Sequence, residues 1–212
     1  MRASLCGNDL RRNTLRSGAL FVAALLFTGT FAGAQQRNAQ PADRLELAIM
    51  YSGSYANLSS GNNKFWLNGG TAELAGQIHR GLGVVCNLTG LHTANTGASV
   101  PLNLLTTTFG PRYTWTPARR SGVARTVSIF GEGLAGEAHG FNGLFPGPSS
   151  AAPSSLSLAV QVGGGVDVGL SRHFSLRAVQ ASWLRTQFSN TTTNVQNNLQ
   201  LGAGIIFHSA NR

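Results

Sequence analysis

Three side chains in this sequence are of types that could do acid–base chemistry close to one another. Glu137 and His139 lie near the end of one predicted β-strand, and His92 lies near the end of another. General acid–base catalysis needs a base within hydrogen-bond reach of a partnered nucleophile, and the sequence offers no convincing nucleophile beside these residues. Scattered polar side chains are the simpler interpretation, so we predict no catalytic residue and no enzymatic activity.

The sequence also gives no sign of a cofactor, a metal site or a nucleic-acid partner. The triplet Gly163-Gly164-Gly165 lacks the strand–loop–helix setting and the Lys-Ser/Thr of a phosphate loop, so it indicates close packing. The five histidines show no ligand spacing, and Cys86 does not add one. Of the net charge of +9, four Arg residues lie before the apolar run at 19–30; the other Arg residues flank turns and do not cluster on one stripe, unlike a nucleic-acid surface.

Five charged residues could instead form a buried ion network if the strands turn them to one side. We expect Arg112 and Asp167 to pair, with Glu73 on the same face, and Glu132 and Arg177 to join if their strand registers allow. Buried charges must be paired and hydrogen-bonded, and the planar fork of Arg can hold two carboxylates. The alternative is that these charges lie near the ends of a lumen and are hydrated.

The elements that would position these residues are β-strands, and the chain from Arg44 onward predicts eight of them. Most show period-two alternation, strand five is ambiguous because apolar residues lie on both of its faces, and we predict no second domain. We place the strands near residues 44–57, 65–79, 82–93, 102–116, 125–140, 156–170, 173–188 and 195–208, within one domain at 44–209. Strand seven is irregular, because Arg177 and Gln180 fall on opposite faces unless a bulge lies between them.

The links between strands alternate in length. Those after strands one, three, five and seven are longer on the whole and rich in Gly, Asn, Ser, Thr and Pro, whereas those after strands two and six are short. The link around 117–123, which follows strand four, is the exception, because it is longer than the links after strands two and six. Short turns at one end, longer loops at the other and an even strand number are typical of a transmembrane β-barrel.

Alternation alone leaves open which face of the barrel points outward. A soluble, lipocalin-like barrel would turn its apolar face inward around a ligand. Here the polar face is mostly Thr, Gly, Gln, Asn and Ser, and only 11% of all residues are charged against roughly 25% in soluble domains, which favours apolar-out. Aromatic residues near the strand ends predict two interfacial girdles, Tyr113 and Trp115 at one end and Phe65, Trp66, Trp183 and Phe188 at the other.

The first 34 residues have the pattern of a cleavable signal peptide. A basic segment precedes the apolar run at 19–30, and Ala32-Gly33-Ala34 fits an A-x-A cleavage site. The alternative is a membrane anchor, for which the run is too short. Residues 35–43 form a short polar lead-in to the barrel.

The last strand resembles the C-terminal assembly signal of outer-membrane β-barrel proteins. The positions of that signal are taken by Gln200, Gly202, Ile205 and Phe207, although the aromatic residue is usually the last and His208 follows it here. The resemblance implies that the barrel-assembly machinery reads this strand during insertion.

The chain resembles the OmpA-like outer membrane protein beta-barrel domain family across about residues 44–207. The residues that carry the likeness are Gly110-Pro111-Arg112-Tyr113, the run from Gly163 to Asp167, the run from Ser171 to Arg177, Gln180, the run from Trp183 to Thr186, and Asn197-Asn198-Leu199. The resemblance implies an all-β fold, an eight-stranded antiparallel up-and-down barrel with a packed polar interior, and no single activity.

We therefore expect a structural or surface-interaction protein in the outer membrane of a diderm bacterium. Its expected partners are outer-membrane lipids and lipopolysaccharide, with periplasmic termini that place most Arg residues near anionic inner-leaflet headgroups. A soluble ligand-binding barrel and a small outer-membrane enzyme with catalytic rim residues are the alternatives.

Overall fold

The computed structural model describes residues 45–57, 64–96, 100–117, 126–145, 152–188 and 194–209. The predicted signal peptide and the polar lead-in lie outside these residues. The described residues contain eight β-strands, which are β1 (Leu45–Asn57), β2 (Lys64–His79), β3 (Leu82–Thr93), β4 (Leu102–Trp115), β5 (Val127–Phe145), β6 (Ala152–Gly169), β7 (Phe174–Thr186) and β8 (Gln196–His208).

The strands form one closed antiparallel barrel. Each strand pairs with the next along the chain, and β8 pairs with β1 to close the sheet, so no edge is left unpaired. The predicted fold class is confirmed. We call the end where β1 begins and β8 ends the terminal end, and the opposite end, where β1 joins β2, the loop end.

Strands β5 and β6 are longer than the sequence predicts. Their loop-end residues are rich in Gly, Pro and Ser, which favour a loop, yet Phe145 still pairs with Ala152. The chain accommodates this with an irregularity between Phe141 and Phe145 and a left-handed backbone at Asn142, with φ of 56°. Asn is among the residues that tolerate such a backbone, so turn-forming residues are here built into a strand end.

The apolar face of the sheet points outward. Along β3 the outward residues Leu82, Val84 and Leu88 are exposed, while Asn87 and Thr89 on the opposite face are buried. The same arrangement holds on the other strands, and it is the reverse of what a soluble ligand-binding barrel needs. The shortest strand has 12 residues, enough for a tilted strand to cross a bilayer, which takes ~9–11 residues.

The aromatic girdles are only partly as predicted. At the terminal end, Tyr113 and Trp115 face outward, and so does Phe207, whose ring lies 5.3 Å from that of Phe174. At the loop end Trp66 faces outward, but two of the residues predicted beside it do not. The side chains of Phe65 and Phe188 pack against the apolar lining of the mouth, and Phe65 must face away from Trp66 because neighbouring strand residues point to opposite faces.

Glycines make room inside the barrel for a large side chain. A Cβ added at Gly165 would lie 2.8 Å from the ring of Phe130 and 2.5 Å from the backbone oxygen of Val179. A larger residue would therefore push Phe130 out of its place, so the glycine triplet serves close packing. No helix among the described residues is long and apolar enough to span a membrane.

Candidate functional site

Arg177 is the centre of a buried ion cluster in the terminal half of the lumen. Its side chain is fully buried, and its guanidinium donates from Nε to Asp167 Oδ1 at 2.9 Å and from Nη2 to Asp167 Oδ2 at 3.1 Å. The remaining nitrogen, Nη1, donates to Glu73 Oε1 at 2.7 Å and to Gln180 Oε1 at 2.9 Å. One Arg thus holds two carboxylates, which is the use to which a planar fork is suited.

Arg112 forms the second half of the cluster. Its Nη2 lies 2.6 Å from Glu73 Oε1, and its Nε donates to Glu132 Oε2 at 3.0 Å. Gln180 joins the two halves, because its Nε2 donates to Glu132 Oε1 at 2.9 Å while its Oε1 accepts from Arg177. Both guanidiniums share the Glu73 carboxylate, so the cluster is one connected unit.

Phe130 lies between the two guanidiniums. The centre of its ring is 4.2 Å from Arg112 Cζ and 4.3 Å from Arg177 Cζ, within the range of cation–π contacts. An aromatic side chain on the inner face of β5 explains why this strand is apolar on both faces, with Ile129 pointing outward and Phe130 inward.

The structure brings all five predicted lumen charges together, but not with the expected pairing. Arg112 takes Glu73 and Glu132, whereas Asp167 takes Arg177, so the expected Arg112–Asp167 pair is wrong. The reason is the bulge in β7. It lies between Arg177 and Gln180, turns both side chains inward and sets Arg177 directly opposite Asp167. Sequence reasoning named Gln180 only as a register problem and missed its bridging role and that of Phe130.

A polar layer lies between the ion cluster and the loop end. Ser52 Oγ and Thr71 Oγ1 are 2.7 Å apart, Thr71 and Thr89 hydroxyls are 2.8 Å apart, and Thr89 donates to Asn87 Oδ1 at 2.9 Å. A small cavity beside this chain of hydroxyls is also lined by Gln161 and has room for about one water molecule. The lumen at this level is filled by side chains.

The loop end of the lumen is apolar, which sequence reasoning did not predict. Phe145 at the end of β5 and Phe188 just after β7 enter the mouth, and their ring centroids are 5.5 Å apart. Gln196 fixes the backbone of Phe188, because its Oε1 accepts from the Phe188 N–H and its Nε2 donates to the Phe188 carbonyl. We call this cluster the apolar roof, formed by Ala56, Phe65, Leu67, Leu91, Leu102, Leu104, Ala138, Phe145, Ala159, Leu184 and Phe188.

The four residues of the predicted assembly signal divide between the two faces of β8. Gln200 and Gly202 face the lumen, where Ser182 Oγ approaches Gln200 Oε1 at 3.5 Å. Ile205 and Phe207 face outward and are exposed. The strand is thus amphipathic as predicted, and its reading by assembly machinery stays a prediction.

The residues considered for rim catalysis lie on the outer face of the barrel. His92, Glu137 and His139 are all exposed there; His92 Nδ1 is 2.6 Å from Asn103 Oδ1, and His139 lies 5.6 Å from the Phe141 ring. The partners of the two histidines are thus an amide and an aromatic ring. Within the described residues, no group of three or more His, Cys, Asp or Glu side chains is arranged to hold a metal ion.

Comparison with known proteins identifies the fold. No protein-family model matches the chain, and no curated protein matches it. Among solved structures, the chain is similar to Neisserial surface protein A (TM-score 0.54, 15% identity, covering 77% of this chain and 96% of that one). It also matches the N-terminal β-barrel domain of Pseudomonas aeruginosa OprF (TM-score 0.43, 16% identity, 80% and 100% covered) and Yersinia pestis Ail (TM-score 0.42, 15% identity, 78% and 99% covered). The first of these likenesses supports the small-barrel fold and nothing more specific.

Proposed function

We propose that the chain is an OmpA-like outer-membrane β-barrel protein of a diderm bacterium with a structural or surface-interaction role. The observation that carries the proposal is the inverted distribution of side chains. Exposed Leu, Ile, Val and aromatic residues cover the outside of the barrel, and a charged network lies inside it. In water this surface would be a large apolar patch, whereas in a bilayer it matches the surrounding lipid.

A blocked lumen favours a scaffold or surface role over transport. The ion cluster, the polar layer and the apolar roof follow one another along the lumen. Eight strands leave an interior that side chains can fill completely. The barrel is then a rigid support, and any partner outside the membrane meets the loop end.

The partners that fit this role are lipids and the barrel-assembly machinery. The outward belt suits lipid chains, and the lipopolysaccharide of the outer leaflet would surround the loop end if the termini are periplasmic. Arg172 and the other arginines near the terminal-end turns would then lie beside anionic headgroups of the inner leaflet. The last strand, with outward Ile205 and Phe207, fits recognition during insertion.

Surface proteolysis of intact cells tests both location and orientation. We expect cleavage within residues 142–155, which span the link between β5 and β6 and contain prolines at 146, 148 and 153. Extraction of the protein from the membrane should require detergent. The purified protein should migrate differently on a gel before and after boiling. Release into the soluble fraction without detergent would contradict the proposal, and cleavage only around 117–123 would reverse the orientation.

A further inference from the structure

Three side chains at the terminal mouth of the lumen form a constellation that the ion cluster does not include. Ser175 Oγ lies 2.7 Å from His208 Nε2, and the other ring nitrogen, His208 Nδ1, lies 3.3 Å from Glu46 Oε1. A hydroxyl, an imidazole and a carboxylate thus follow one another in the order that activates a serine nucleophile.

The strand register creates this arrangement. Glu46 on β1 is the cross-strand partner of His208 on β8, and Ser175 on β7 lies across the other edge of β8, opposite Ile206. All three side chains point into the lumen. The backbone N–H of His208 donates to the carbonyl of His173 at 2.9 Å, which fixes the end of β8 and with it the imidazole.

The constellation is enclosed but open toward the terminal end. Ser175 is 7% exposed, and the side chains of His208 and Glu46 are 15% and 30% exposed. The next inward side chains on the same strands, Ile206 and Arg177, are fully buried and close the lumen behind them. A reactant can therefore approach only from the terminal mouth, and its acyl group must be small.

We infer that Ser175 is a nucleophile activated by His208 as general base, with Glu46 as the positioning residue, and that it reacts with small carboxylic esters. The Glu46 carboxylate favours the tautomer that carries its proton on Nδ1, which leaves Nε2 free to accept the Ser175 proton. The Nδ1–Oε1 contact lacks hydrogen-bond alignment in this structure, and such contacts commonly tighten when substrate binds.

The reaction balances with water as the only co-reactant. Ser175 Oγ bonds to the ester carbonyl carbon and its proton passes to His208 Nε2; the ester C–O bond breaks, and the leaving oxygen takes that proton to depart as an alcohol. Water then attacks the acyl-serine and gives a proton to His208. That proton returns to Ser175 Oγ as the carboxylic acid leaves.

Labelling with a small fluorophosphonate tests the nucleophile, since Ser Oγ bonds to phosphorus and fluoride leaves. The detergent-refolded barrel should be labelled at Ser175, and Ser175→Ala should abolish this. We expect His208→Gln to slow labelling about 100-fold or more, the lower range for a general base, and Glu46→Gln to slow it less and change its pH profile. Ser128→Ala is the matched control, because Ser128 lies at the same end but its hydroxyl bonds Thr116.

Two results would overturn the inference. One is an unlabelled wild type that is folded by the gel-shift criterion, and the other is equal labelling of Ser175→Ala.

A second measurement separates activation from structure. In a Cys86→Ser background, Ser175→Cys should be alkylated at lower pH than an ordinary thiol, and adding His208→Gln should remove that advantage. An unchanged alkylation profile would exclude His208 as the base. The inference does not depend on the role proposed for the loop end.

Discussion

At the scale of single residues, Arg177 is the side chain on which the ion cluster depends most. It contacts Asp167, Glu73 and Gln180, and no part of it reaches solvent. A buried charge is costly unless it is paired and hydrogen-bonded, and here the pairing is with residues from two other strands. Losing Arg177 would leave Asp167 and Glu73 with fewer partners inside a membrane-spanning barrel.

A double-mutant cycle on Arg177→Met and Asp167→Asn should reveal strong coupling. We expect the Arg177 change alone to lower the free energy of unfolding by about 3–5 kcal/mol, because it leaves carboxylates buried without their partner. The coupling should be on the order of 1–3 kcal/mol. Unfolding by urea in lipid vesicles provides the measurement.

The same cycle on Arg112→Met and Asp167→Asn is the matched control. These two residues take different partners, so their effects should be closer to additive, with only the indirect link through Glu73 and Arg177. A larger coupling for Arg112 than for Arg177 would contradict the arrangement of the cluster.

The sequence could show which charged side chains face the lumen, but it could not show which of them form ion pairs with each other. Alternation put Glu73, Arg112 and Asp167 on inner faces, because period-two patterns fix the face of a residue. Pairing depends on the stagger between strands that are far apart in sequence. Spacing along one strand does not reveal this stagger. For the same reason it does not reveal that Glu46, His208 and Ser175, which lie on three strands, are in contact.

At the scale of elements, the bulge in β7 decides how the lumen is filled. Val166 pairs with Val179 while the next residue, Asp167, pairs with Arg177, so β7 carries one extra residue at Ala178. Gln180, on the loop-end side of the bulge, faces inward, and Arg177, on its terminal-end side, faces inward too. Without an extra residue between them, two side chains three positions apart would lie on opposite faces.

Deleting Ala178 should therefore leave the barrel folded. The deletion restores simple alternation and keeps both Arg177 and Gln180 inside, since the two side chains would then be two positions apart. We expect the gel shift before boiling to persist and the free energy of unfolding to change little. The measurement is the gel shift together with unfolding in lipid vesicles.

Deleting Ala181, an outward alanine of the same strand, is the matched comparison. Even if the bulge absorbs this deletion, Gln180 turns outward and Val179 turns inward, so Gln180 can no longer donate to Glu132 or accept from Arg177. We expect it to be clearly more damaging. Equal tolerance of both deletions would contradict the role given to the bulge.

The elements themselves were largely predictable, because eight alternating segments separated by turn residues specify eight strands. Most predicted ends lie within one or two residues of the observed ones. The failures are at the loop end, where β5 and β6 continue through turn-forming residues and where Phe65 and Phe188 turn inward. Alternation on β2 does put Phe65 and Trp66 on opposite faces, whereas the strand extensions and the inward turn of Phe188 depend on how the chain closes over the mouth, which local patterns do not encode.

At the scale of the whole molecule, the lumen contains two seals of different chemistry in series. The ion cluster near the terminal end is held by charge and hydrogen bonds. The apolar roof at the loop end is held by packing, with Phe145 at the end of β5 and Phe188 just after β7 at its centre. An apolar constriction resists ions because wetting it is unfavourable, so either seal alone should prevent steady ion flow.

Single-channel recordings in planar lipid bilayers should therefore show no large, steady conductance for the wild type. Opening one seal should not change this. Phe188→Ala removes half of the aromatic pair but leaves the ion cluster, and Arg177→Ala weakens the cluster but leaves the roof. Only the combination removes both seals, so any ion leak should be confined to it and stay small, because the polar layer still narrows the lumen, provided that the gel shift shows a folded barrel. Steady open-channel current from the wild type, or from either folded single variant, would contradict two seals in series, because a lumen that conducts with one seal intact has no second barrier.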